Sequence, residues 1–155
     1  MFFCAHIKPY IDYVSNVWDS SSQKHLLTLN SLYRRAVKLI LFESKVSTDE
    51  KFKTLKLLTL YEQHQFNKCL LMHNITHNKA PNYLKSFIQP IRKQSDSRKM
   101  IIPLPLPRID LYKSSLSFSG ASTWNILPEY LKSLNSTPVF KSKLKSFILN
   151  TETLY

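Results

Sequence analysis

"QKHLLTLNSLYRRAVKLILF", residues Gln23 to Phe42, is the stretch on which the reading of this chain turns. Leu26, Leu29, Tyr33, Ala36, Val37 and Ile40 recur at steps of three and four, the period of one helix face. Lys24, Arg34, Arg35 and Lys38 fall between them, and no acid follows until Glu43. The stretch predicts an amphipathic helix with a cationic outer side.

The same pattern extends on both sides. Ile7, Tyr10, Val14, Val17 and Trp18 keep helical spacing, so a buried helix is expected near Pro9, ahead of a polar loop at Asp19–Ser22. Downstream, Ser47-Thr48-Asp49-Glu50 and Thr59-Leu60-Tyr61-Glu62 both carry the capping-box spacing that opens a helix. The second should run to about His77 on Leu60, Phe66, Leu70, Leu71 and Ile75, and Asn78 to Pro81 should end it. Pro81 then opens a short turn with Tyr83, Leu84, Phe87 and Ile88. In "PIRKQSDSRKMIIPLPLPR", Pro90 to Arg108, the prolines at 103, 105 and 107 forbid a helix and weaken any central strand. Helix resumes near Ser114 and covers Phe118 to Ile126. A last helix starts at Thr137-Pro138 and uses Val139, Phe140, Leu144, Phe147 and Ile148. The fold expected is mostly α: an irregular helical bundle of about five helices with a Pro-rich basic loop, or a short β-hairpin, around residues 90–112. Residues 1–89 would form an N-terminal helical part and 113–155 a C-terminal part packing on it, with the loop as hinge. The whole would be one domain, a fragment of a larger protein.

Composition narrows the function. The chain has 155 residues, 43% of them hydrophobic, enough to build a core. It holds 22 Lys+Arg against 10 Asp+Glu, a net charge of +12 that attracts polyanions, nucleic acid first and an anionic membrane second. One glycine in the chain excludes a Gly-rich phosphate cradle. Two cysteines, Cys4 and Cys69, build no disulfide framework and fit a reducing compartment. The N-terminus lacks the basic stretch of a signal peptide, and no apolar run is long enough to span a bilayer. An intracellular location, nuclear or cytoplasmic, is expected, with no membrane partner.

Catalytic chemistry is hard to place. Two-metal nucleotidyl transfer needs converging carboxylates, and only Asp49 and Glu50 are adjacent, where acids serve the first turn of a helix. Cys69, His73 and His77 have a metal-like i, i+4, i+8 spacing, yet the outer pair lies about 12 Å apart at the helical rise. The expectation is Cys69 in the core and the histidines on a partly wet basic face, with no cofactor and no metal. Two clusters qualify as nucleic-acid contacts: Arg34, Arg35 and Lys38 without local acids, and Arg92, Lys93, Arg98, Lys99 and Arg108 in the loop. Trp18 and Trp124 sit among apolar residues at helical spacing and read as core. Gly120-Ala121 reads as close helix packing or a helix start, and Pro128 as the stop of the helix before it.

"FSGASTWNILP", Phe118 to Pro128, resembles a segment near the C-terminal end of the polyprotein of non-LTR retrotransposons of the jockey and CR1 type. "IKPYIDYVSNVWD" (Ile7–Asp19), "LYRRAVKLI" (Leu32–Ile40), "LKLLTLYEQHQFNKCLLMHNITHNKAPNYL" (Leu55–Leu84) and "FKSKLKSFIL" (Phe140–Leu149) are similar to the same family, in the same order. The resemblance covers nearly all the chain. It implies a region downstream of the polymerase core, in the thumb and C-terminal extension of a reverse transcriptase. The aromatic-Ala-Asp-Asp motif of that polymerase is absent, and Gln63-His64 stand where the family often has an Arg pair. The function expected is a non-catalytic fragment of an RNA-directed DNA polymerase. Its partners would be the nucleic-acid backbone and the rest of the reverse transcriptase. The alternative is a helical protein-interaction module without a nucleic-acid role.

Overall fold

A computed structural model describes residues 3–13, 15, 23–40, 47–86, 88, 92–93 and 100–150. The chain is mostly helical, as expected. It divides into two compact units, Met1–His64 and Gln65–Tyr155. The division therefore falls after His64, not in the basic loop at residues 90–112. The described residues from Gln65 to Ser86, expected in the N-terminal part, belong to the second unit.

The first unit opens with a π-helical turn, Phe3–Ile7, and α1, Lys8–Asp12. Then come α2, Gln23–Ile40, and α3, Thr48–Thr54. Ile11, Tyr33, Val37, Phe52 and Leu60 form its core, with Leu29 and Ala36 packed against them. The Tyr33 ring stacks on Phe52 at 5.6 Å, and its hydroxyl donates to the Leu58 carbonyl at 2.9 Å. The buried side of α2 is thus the one its periodicity marked, except at Ile40, which is 41% exposed. Around α1 the expectation fails at one position: Ile11 turns inward and Tyr10 is 83% exposed. A one-turn helix buries a single position well, and a tyrosine hydroxyl tolerates water. Val14, Val17 and Trp18 lie outside the described residues.

Ser47 caps α3 as its spacing required. The Ser47 hydroxyl accepts from Glu50 N–H, and the Glu50 carboxylate accepts from Ser47 N–H at 2.9 Å. Lys56 then takes a left-handed φ of 50°, and Leu57 N–H reaches back to the Phe52 carbonyl at 3.0 Å. This closure satisfies carbonyls that the helix end leaves open.

Helix α4, Leu60–Thr76, begins on the second capping box, with Thr59 N–H donating to the Glu62 carboxylate at 2.8 Å. It closes like α3: Asn78 has φ 58°, and Lys79 N–H bonds the Asn74 carbonyl at 2.7 Å. Its burial departs from expectation. Leu70 and Leu71 are only half-buried, while Gln63, His64, Lys68, Cys69, Met72 and His73 are buried. Apolar periodicity does not mark a helix covered around much of its circumference.

In the second unit, a single turn, α5 (Asn82–Lys85), precedes an antiparallel pair of two-residue strands, β1 (Arg92–Lys93) and β2 (Met100–Ile101). Residues 102–107 run without helix or strand, as the alternating prolines dictate. Leu106 points out at 93% exposure, whereas Ile102 is fully buried. Then follow α6 (Asp110–Lys113), α7 (Leu116–Ile126), α8 (Glu129–Lys132) and α9 (Thr137–Asn150). Helix α7 stops because Leu127, ahead of Pro128, is held in extended backbone at ψ 142°. Phe140, Leu144 and Ile148 give α9 its buried side at i, i+4 and i+8. No described helix is long and apolar enough to cross a membrane.

Candidate nucleic-acid interface

Helix α2 carries the cations in the first unit. At about 100° per residue, Lys24, Ser31, Arg35 and Lys38 fall within a narrow arc of the surface. All four are exposed, and α2 contains no Asp or Glu. From Lys24 to Lys38 the row is about 21 Å long at 1.5 Å per residue. Sequence reasoning named Lys24 only as an interruption of the apolar pattern. Its spacing of 11 and 14 residues from Arg35 and Lys38 was the available signal.

Arg34 is a correction. In sequence it stands with Arg35 and Lys38, with no acid nearby. Its guanidinium instead lies 2.9 Å from the Asp49 carboxylate, on the first turn of α3. The pair ties α3 to α2 and leaves Arg34 only half-exposed. Asp49 also sits where a negative charge suits the helix dipole.

The second cluster is dispersed along the second unit. Arg92 and Lys93 form β1. Arg108 is exposed, two residues ahead of α6. Arg98 and Lys99 lie outside the described residues.

The described acids are engaged structurally. Asp12 pairs with Lys8, Asp110 with Lys113 and Glu129 with Lys132, while Glu50 and Glu62 cap helices. Asp110 is held below the usual carboxylate range by its hydrogen bond and charge contact with Lys113. Among the described residues, no three His, Cys, Asp or Glu side chains gather as a metal site. Cys69 is fully buried, and burial pushes its thiol up to about 12. His73 is the second correction: it is fully buried rather than wet, because its ring is enclosed between His77 and Phe140, each at 4.2 Å, whereas His77 is half-buried.

Of the residues expected to be structural, Trp18 lies outside the described residues. Trp124 is buried beside Phe140, with ring centroids 6.2 Å apart. Gly120 answers to close packing, not to a helix start: it lies inside α7, and a Cβ there would stand 3.0 Å from Met72 Sδ and 3.1 Å from Leu116 Cδ1. Asn125 was overlooked. Its amide donates to the Ile102 carbonyl at 2.8 Å and its carbonyl accepts from Ile102 N–H at 2.9 Å, pinning the Pro-rich segment to α7. Buried Lys132 donates to the Asn125 backbone carbonyl at 3.2 Å and to Glu129 at 3.0 Å, a cation at the C-terminal end of α7. A side-chain amide bonding both backbone groups of a residue 23 positions away leaves no periodic trace.

Compared with family models, with curated proteins and with solved structures, the chain matches none.

Proposed function

We propose that the chain is the non-catalytic C-terminal part of a retrotransposon-encoded RNA-directed DNA polymerase of the jockey and CR1 type. In this reading it supports the polymerase and holds nucleic acid by its backbone, without regard to base sequence. The observation that carries the binding role is the exposed, acid-free row of Lys24, Ser31, Arg35 and Lys38 on a chain of net charge +12. Cations in a row meet successive phosphates, and each contact releases counterions. The engagement of the described acids in caps and ion pairs supports the absence of chemistry of its own. The family assignment is supported by the ordered run of similar segments from Ile7 to Leu149. An upstream reading frame encoding an aromatic-Ala-Asp-Asp strand would support it further, and an intact promoter and intron there would argue against it.

The binding experiment is a salt titration of the full chain with a labelled oligonucleotide. Affinity should fall as salt rises, and each of K24A, R35A and K38A should reduce the log–log slope by roughly 0.7–0.9. An affinity indifferent to salt, or a slope unchanged in the triple variant, refutes the assignment.

A second reading rests on a separate observation. Leu32 and Leu39, one heptad apart on α2, are 55% and 75% exposed. Such a pair suits the apolar side of a partner helix. Under that reading L32A/L39A abolishes partner capture and K24A/R35A/K38A does not.

A further inference from the structure

The second unit contains a buried imidazole with no role in the proposed interface. His73 lies on α4, and its Nε2 is 2.7 Å from the Leu134 carbonyl in the loop between α8 and α9. A carbonyl only accepts, so Nε2 carries the proton. The neutral ring then has a bare Nδ1, which is buried and has no hydrogen-bond partner. One face of the ring stacks on Phe140 of α9 and the other on His77 of its own segment. Next to it, the Lys79 ammonium donates to the Asn135 carbonyl and, at 3.0 Å, to Thr137 Oγ1. The entry to α9 is thus held by His73 and Lys79 together.

We infer that His73 is an acid-operated latch on α9: neutral, it seats the 134–136 loop and the helix that follows, and protonated, it releases them. A second proton must go to Nδ1, which is buried and makes no hydrogen bond in the closed site. The titratable groups beside the ring, His77 and Lys79, both oppose a positive charge on it. Burial pulls His73 below the ordinary histidine value, outweighing the Leu134 carbonyl and the Asn74 side chain, which both favour the charged form. Burial of an unpaired cation is resolved by opening the site. The sign follows from linkage. The neutral form is preferred in the folded state, so the stabilisation is complete above the unfolded value of about 6.5. It is lost as pH falls below that value, until the folded value is reached.

Amide exchange of the full chain, corrected for its intrinsic pH dependence, tests the latch. Opening of Thr137–Asn150 should rise by roughly tenfold for each pH unit below about 6.5, with a smaller change in Leu116–Ile126. His73→Phe keeps the stack, removes the titration and should abolish the dependence. Release that is equal at both ends of the range, or that persists in His73→Phe, overturns the proposal. Should that variant fail to fold, the assigned C2–H resonance of His73 in the unaltered chain decides. A midpoint below about 6.5 that coincides with loss of α9 protection supports the latch, and a midpoint at or above it sinks the proposal.

Discussion

Helix α2 and the α7–α8 corner treat polar residues in opposite ways. On α2 they are displayed: Lys24, Ser31, Arg35 and Lys38 stand in solvent, and the apolar side alone meets the core. At the corner they are enclosed. Asn125 clamps Ile102, and Lys132 reaches the Asn125 carbonyl from a site only 2% exposed. An exposed charge adds little to folding and is available to a ligand, whereas an enclosed polar group is committed to one geometry. The contrast teaches where substitutions should be felt as stability and where as binding.

The hardest test of that contrast removes the indole at the corner. Trp124→Ala leaves a cavity beside Phe140 and should destabilise the chain by about 3–5 kcal/mol in urea unfolding. A loss as small as that of a surface change would erase the distinction. Gly120→Leu attacks the same corner by excess instead of deficit. Met72 and Leu116 already stand 3.0 and 3.1 Å from the position of the missing Cβ, and overpacking of this kind costs roughly 1–3 kcal/mol. A melting temperature at or above that of the unaltered chain would show that the contact has slack. The mildest change lies on the displayed side. Arg34→Ala breaks an exposed pair with Asp49 and should cost about 1 kcal/mol or less. Its salt slope for nucleic acid should stay near that of the unaltered chain, while R35A shifts it. Equal slopes for R34A and R35A would mean that Asp49 does not withhold Arg34 from phosphate.

The same contrast governs what could be read from residues alone. Tyr33 and Val37 were legible because they fall at helical spacing on the side of α2 that meets the core. The caps at Ser47 and Thr59 were legible because a hydroxyl and a carboxylate three residues apart can close only locally. Gly120 was legible through scarcity, as the single residue without a side chain in a dense segment. Helix α4 was half-legible. Gln63, Lys68 and His73 are buried there against their polar character. The Arg34–Asp49 pair and the Asn125 clamp were illegible, since each joins residues whose neighbourhood exists only after folding. The cationic character of the candidate interface was therefore apparent at once, and its membership was not: Arg34 leaves it and Lys24 enters.

The lone glycine serves volume rather than rotation. Among the described residues the left-handed corners belong to Lys56 and Asn78, where a side chain makes that torsion strained by roughly 1 kcal/mol or more. Both sit just past a helix end, the site where backbone latitude is most often supplied by the smallest residue. The molecule thus keeps slack in reserve: relaxing those two bends would toughen it while leaving both its phosphate-facing row and its tryptophan corner as they are.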